Sequence, residues 1–181
     1  MGKTSRNKGK RGELQWRNIL REMGFDPNTT YRAAQFSGRA PDGSSADVVC
    51  SELPSIHFEV KNVERLNLWS AYAQASRDSH DRFAVVAHTK NQFGWLCSLG
   101  EADFRYILSR SDILEEEQLH WQMQGKKRVN VWGGYAMAQY HSSGRRPVLL
   151  HSNGTVDLAT LSGEDFLTVV RRSDLVERRS A

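Results

Sequence analysis

Only two cysteines, Cys50 and Cys97, occur in the 181 residues. Such a pair supplies neither a disulfide framework nor a four-ligand zinc site, and it fits a reducing compartment. No apolar run reaches the ~20 residues that a membrane-spanning helix needs. The first residues are basic, with no apolar stretch behind them. The expectation is a cytoplasmic protein with no membrane partner. Charge of one sign is not in large excess either. A net +4 and a pI of about 9.2 permit a polyanionic partner without demanding one. The length fits one domain, or one domain with an appendage, and can bury a sizeable core.

Within that frame one stretch carries chemistry. Ala46-Asp47-Val48-Val49 and Ile56-His57-Phe58-Glu59-Val60-Lys61 read as two short strands. The residues between them, Glu52-Leu53-Pro54-Ser55, read as a short turn, so the strands are expected to pair as a hairpin. Alternate side chains of a strand share a face. Asp47 then sides with Val49, and Glu59 with His57 and Lys61. Two carboxylates beside each other form a hard-oxygen pocket suited to Mg²⁺, with Mn²⁺ as a substitute. An ammonium group there positions a water or offsets charge on a phosphate. Two half-exposed strands with ordinary surface charges would carry the same residues. Asp42, in Pro41-Asp42, competes for the metal role. Asp47 is preferred because apolar Val48-Val49 follow it as a strand requires.

The surrounding order sharpens the reading. Arg11-Gly12-Glu13 opens a helix expected over 10–23, with Trp16, Ile19, Leu20 and Met23 as its buried stripe and Gly24 as its cap. Glu13 sits at the head of that stripe, where a carboxylate needs a partner, although a helix start favours Glu for its dipole alone. Tyr31-Arg32, Ser37-Gly38 and the Asp47…Glu59-Val60-Lys61 core follow. Next comes a helix over 67–78 with Trp69, Tyr72, Ala73 and Ser76 on one face. This order, over about residues 7–108, resembles the PD-(D/E)XK nuclease superfamily and its Holliday junction resolvase-like branch. The "PD" of that family name is Ala46-Asp47 here.

The resemblance implies an α/β fold, a restriction-endonuclease-like α/β/α sandwich with a mixed central sheet. It implies a Mg²⁺-dependent endodeoxyribonuclease, a homodimer acting on branched DNA such as Holliday junctions, with a phage or mobile-element origin. Asp47 and Glu59 would hold the metal with the Val60 carbonyl. Lys61 would orient or activate the water. Glu13 would bind a second metal or a water on the metal, and Gln74 would lie on the active-site side unless it is a plain surface amide. Ser37 would contact DNA or cap a turn. Arg32 would reach a phosphate or pair with Glu13 or Asp47. Lys8, Lys10 and Arg11 belong to a basic stretch over 1–11 that either frays in solvent or follows a phosphate backbone. A nuclease for single strands, ends or specific sites, and a non-catalytic DNA-binding module, remain open beside the junction reading.

The rest divides at about residue 108 into a nuclease core, 1–108, and a C-terminal extension, 109–181. Strands are expected at 83–88 and 95–99 and a helix from Glu101. Phe83-Ala-Val-Val-Ala-His88…Leu99-Gly-Glu-Ala-Asp-Phe104 resembles Pro147-Val-Leu-Leu-His151…Leu161-Ser-Gly-Glu-Asp-Phe166, a repeated β-β-α unit. Residues 111–119 read as an acidic, solvated helix. Lys126-Lys127-Arg128 and Arg145-Arg146 bracket Trp132, Tyr135 and Tyr140, a pattern that either stacks bases or packs its aromatics inward. The charged tail from Arg171 is expected to be loose.

Overall fold

The computed structural model describes residues 3–33, 46–124 and 129–177, with the backbone alone at 3–6 and 116. One mixed sheet of eight strands runs through it, in the order β1-β2-β3-β4-β5-β8-β7-β6. The strands are β1 (Thr30–Arg32), β2 (Val48–Cys50), β3 (Ile56–Asn62), β4 (Phe83–Thr89), β5 (Leu96–Gly100), β6 (Leu119–Met123), β7 (Arg146–Ser152) and β8 (Asp157–Ser162). The helices are α1 (Lys3–Glu22), α2 (Leu68–Asp78), α3 (Glu101–Ser109), α4 (Glu115–Gln118), α5 (Val131–His141) and α6 (Gly163–Arg171). β3 pairs parallel with β4 across the α2 crossover, and β6 pairs parallel with β7 across α5. The other pairings are antiparallel. Among the described residues no helix is long and apolar enough to cross a membrane.

Both sheet faces are covered, which is why the inner strands are apolar in near-continuous runs. Val85, Ala87, Cys97, Leu99 and Leu161 point to the face that packs Trp16 and Leu20 of α1, Phe104 of α3 and Phe166 of α6. Ala84, Val86, Leu96, Leu149 and Leu158 point to the other face, under α2 and α5. Trp16 is fully buried and meets Phe58 edge-on at 5.6 Å between ring centroids. A Cβ on Gly163 would lie 2.9 Å from the Trp16 ring, so α6 can start beside α1 only with glycine there.

Several expectations change. α1 begins at Lys3, two turns before Lys10, and Gly12 lies inside it rather than at its mouth. Sequence places Gly9 in the basic stretch of 1–11 and Gly12 at the opening of the helix. Gly12 has a packing reason: a Cβ there would come 2.7 Å from Asn62 Cβ, so glycine lets α1 lie directly on β3. In α2 the buried face is Leu68, Ala71 and Ala75, while Ala73 and Ser76 are exposed. The acidic helix of 111–119 shrinks to the single turn of α4, followed by β6. The C-terminal extension is larger than β-β-α, because β6 and α5 precede β7, β8 and α6. The stretch after Arg171 is docked as far as Glu177. Arg171 Nη1 donates to the Met23 carbonyl, Leu175 and Val176 pack on the core, and the Glu177 amide donates to the Glu52 carbonyl at 3.0 Å.

Candidate active site

β2 and β3 form the expected antiparallel hairpin, with Val48 opposite Phe58. Asp47 immediately precedes β2, yet its amide still donates to the Phe58 carbonyl at 3.0 Å and its carbonyl accepts from Ala33 at 3.0 Å. One step further the ladder changes partner. Asp47 Oδ2 accepts the Val60 amide at 2.8 Å, so a carboxylate fills the place of a backbone carbonyl where the strands part. In a ladder, residues of one parity direct both backbone groups to the same neighbour. The Val60 carbonyl therefore points to the Asp47 side, as a third oxygen for a cation there.

Glu59 stands on the opposite strand face from buried Phe58 and Val60 and is itself almost fully buried. Its partner is the Lys61 ammonium, which also donates to Gln74 Oε1 on α2 at 3.1 Å. Lys61 is thus held from two sides, by a strand carboxylate and a helix amide. Glu13, buried at 6% exposure, reaches the same region from α1 and pairs with Arg32 of β1.

The carboxyls share one electrostatic problem. Burial, then the charges of Glu59 and Glu13, push Asp47 up to about 7, against the opposing pull of the Val60 amide and Lys61. Burial also raises Glu59, aided by Asp78 and Glu13, while Lys61 works against the rise. A divalent cation between Asp47 and Glu59 would displace the proton and relieve both desolvation and repulsion. The donor set fits a hard cation such as Mg²⁺: two carboxylates and a backbone carbonyl. Among the described residues, no three His, Cys, Asp or Glu side chains converge as a ready metal cage, and Glu13 is committed to Arg32.

No protein-family model, no curated protein and no solved structure matches the chain. The site therefore rests on its own geometry.

Of the residues expected from sequence, Glu13, Arg32, Asp47, Glu59, Lys61 and Gln74 come together. Ser37 and Asp42 lie outside the described residues. Lys8 and Arg11 line a neighbouring cleft of about 840 Å³ with Asn62, Lys90 and Trp95, and Lys8 also pairs with Glu64. Lys10 is exposed and does not line that cleft. Sequence reasoning missed Lys90, whose signal was a cation in the polar β4–β5 connection. His57 is buried against Arg82, and burial lowers its pKa to about 4, so it stays neutral. Trp132 and Tyr135 pack inward, while Tyr140 is exposed.

Proposed function

We propose that the chain is a metal-dependent DNA endonuclease of the PD-(D/E)XK type. The observation that carries this reading is the meeting of Asp47, Glu59 and Lys61 where β2 leaves β3, with Lys61 braced by Gln74. The element order α1-β1-β2-β3-α2-β4 and the helix-covered mixed sheet support the restriction-endonuclease-like sandwich.

Asp47, Glu59 and the Val60 carbonyl would hold Mg²⁺. When bound, the ion supplies Lewis-acid stabilisation of the charge that develops on the phosphate. The protein groups do the rest. Lys61 Nζ, fixed by Glu59 and Gln74, orients a water toward phosphorus and offsets negative charge in the transition state. Glu13 holds Arg32 at the site margin, where the guanidinium meets a phosphate oxygen of the incoming strand. Lys8, Arg11 and Lys90 in the adjoining cleft guide the DNA backbone past the carboxylates. Branched DNA is the proposed substrate.

The test is a panel of labelled duplex, single-strand, flap and four-way-junction DNAs incubated with Mg²⁺, Mn²⁺ or EDTA. Internal cleavage with either metal and none in EDTA is expected. Tight binding without cleavage in both metals would favour a non-catalytic DNA-binding module.

A further inference from the structure

The C-terminal half repeats more than a β-β-α unit. The run β3-α2-β4-β5-α3 is followed by β6-α5-β7-β8-α6, and the sheet order β3-β4-β5-β8-β7-β6 is what a two-fold axis between β5 and β8 produces. Equivalent residues meet on that axis. Ser98 pairs with Thr160 in the β5–β8 ladder, and Ser111 forms an isolated bridge with Ser173. Their surroundings are symmetric too. His88 Nε2 lies 2.9 Å from Ser98 Oγ, Ser98 Oγ 2.6 Å from Thr160 Oγ1, and His151 Nε2 3.0 Å from Thr160 Oγ1. Arg110 pairs with Asp174, and reciprocally Arg172 pairs with Asp112.

Local details repeat at the same positions. Asn67 caps α2 by accepting from the Ser70 amide, and Asn130 caps α5 by accepting from Gly133. Asn67-Leu-Trp-Ser-Ala-Tyr-Ala matches Asn130-Val-Trp-Gly-Gly-Tyr-Ala. Each helix is followed by a non-glycine residue at positive φ, His80 at 54° and Ser143 at 52°. Arg82 approaches His57 Nδ1 at 3.4 Å, and Arg145 approaches His120 Nδ1 at 3.3 Å. Convergence of two generic units does not reproduce side-chain contacts one for one.

The catalytic positions are where the copies part. Ile56-His57-Phe58-Glu59-Val60-Lys61 aligns with Leu119-His120-Trp121-Gln122-Met123-Gln124. Glu59 is matched by Gln122 and Lys61 by Gln124, and Gln74 by Met137. Gln124 Oε1 is buried with no partner among the described residues, as expected when both members of the Lys61–Gln74 pair have been replaced. α4 precedes β6 in place of a β1-β2 pair, so Asp47 has no counterpart either.

The charge of the stretch also rises, from balanced to basic. Residues 56–83 hold four acids, Glu59, Glu64, Asp78 and Asp81, against Lys61, Arg65, Arg77 and Arg82. Their counterparts are Gln122, Lys127, His141 and Gly144, and residues 119–146 hold five Lys or Arg and no acid. Gln122 Oε1 accepts from His141 Nδ1 at 3.2 Å, and exposed Arg145 approaches His120, which shares the Gln122 face of β6. The carboxylate and ammonium of the first copy are replaced by neutral amides in the second, in a stretch of sequence that holds no acid.

We propose that residues 119–174 are a second copy of the nuclease unit 56–112 that holds DNA backbone without cutting it, so that one chain carries what two subunits of a dimeric nuclease would, with a single cleavage centre. The cutting half rests on the nuclease reading above; the pairing of the halves does not. Three measurements on the full chain test this. Sedimentation of the protein, alone and with a four-way junction in EDTA, should give a monomer and one chain per junction. A supercoiled plasmid with Mg²⁺ should accumulate open circles first, with linear product arising only from them. In EDTA, Arg145→Glu should weaken binding of a labelled junction about tenfold. Arg145→Lys should restore it, and Arg105→Glu, on the opposite sheet face, should not change it; circular dichroism checks the fold of each. A stable dimer that breaks both strands in one encounter would overturn the proposal, as would wild-type affinity in Arg145→Glu. A chain that cuts no DNA sinks the nuclease reading alone, because the mass and binding measurements in EDTA still decide this one.

Discussion

Asp47 Oδ2 accepts the amide hydrogen of Val60 at 2.8 Å, and this one bond marks where the sheet opens into a site. It holds the carboxylate beside Glu59 and leaves the Val60 carbonyl turned toward the same space. The arrangement is expensive without a cation, because two buried carboxylates then face each other.

That cost has a pH signature. The folded-state pKa of Asp47 is raised to about 7 from an ordinary 3.8, mainly by burial and then by Glu59. A raised carboxyl pKa stabilises the fold fully below the ordinary value, and the contribution is lost as pH climbs through 7. Asp47→Asn keeps an oxygen for the Val60 amide and removes the charge. It should stabilise the metal-free protein by roughly 1–3 kcal/mol at pH 8 and hardly at all at pH 4. Thermal melts of both proteins at the two pH values, in EDTA, check this. Equal melting temperatures at pH 8 would mean that Asp47 is not strained.

In the proposed site the same carboxyl would link metal binding to protons. With Asp47 titrating near 7, a divalent cation must displace a proton at lower pH. The apparent Mg²⁺ affinity should fall about tenfold for each unit of pH below 7 and level off above 8. Calorimetric titration at pH 6, 7 and 8 measures it. A pH-independent affinity would place the ion elsewhere.

The hairpin of this site was legible in sequence because strand alternation and a short turn leave little choice of register. The ends of the helices were not. α1 runs on from Lys3 through a stretch, residues 3–12, that holds no apolar residue and so offers no buried stripe to read. In α2 the aromatic Trp69 and Tyr72 drew the predicted face away from the alanines that sit flat on Ala84 and Val86. α5 went unread because Gly133-Gly134 is a poor helix sequence; Gly134 is needed where a Cβ would lie 2.8 Å from Leu149 Cδ2. The repeat was visible at β7-β8-α6, where apolar residues are kept. It was hidden at β6, where amides replace Glu59 and Lys61, and it went unread in α5, where Gly133-Gly134 stand for Ser70-Ala71 although Asn, Trp, Tyr and Ala are kept.

The buried histidines on the internal axis give the fold an acid limit. Burial lowers His88 to about 3 and His151 to about 4, against an ordinary 6.5. The unfolded chain takes up these protons below pH 6.5 and the folded chain does not, so stability should fall steadily from there toward pH 4. Denaturant melts across that range should steepen on acidification. His88→Gln, which keeps a hydrogen-bonding group near Ser98, should flatten part of the slope. An unchanged slope in the variant would remove His88 from this account.

In the proposed site Gln74 would act through Lys61. Its carbonyl oxygen accepts from Lys61 Nζ at 3.1 Å and touches neither carboxylate in the described contacts. Gln74→Leu should lower the single-turnover rate about tenfold, with Mg²⁺ affinity unchanged and DNA affinity within about twofold. Gln74→Glu should recover most of the rate, since it still accepts from Lys61. Loss of metal binding in Gln74→Leu would assign it a structural role instead.

The proposed DNA path through the cleft beside the site predicts a salt dependence. Lys8→Ala and Arg11→Ala should each reduce the slope of log affinity against log salt by about one unit. Fluorescence anisotropy between 50 and 300 mM KCl, roughly the range where counterion release is resolved, reads the slope. Lys10→Ala, exposed outside the cleft, should change it less. Equal slopes for all three would move the DNA path away from α1.

The central claim is that Asp47, Glu59 and Lys61 form one metal-dependent cleavage site. Single-turnover cleavage of a labelled four-way junction in Mg²⁺ tests it most directly, with wild type beside Asp47→Ala, Glu59→Ala and Lys61→Ala, each shown to be folded. The account predicts a loss of at least about 100-fold for every variant and no cleavage by wild type in EDTA. Wild-type rates in any one variant, or cleavage that survives EDTA, would contradict it.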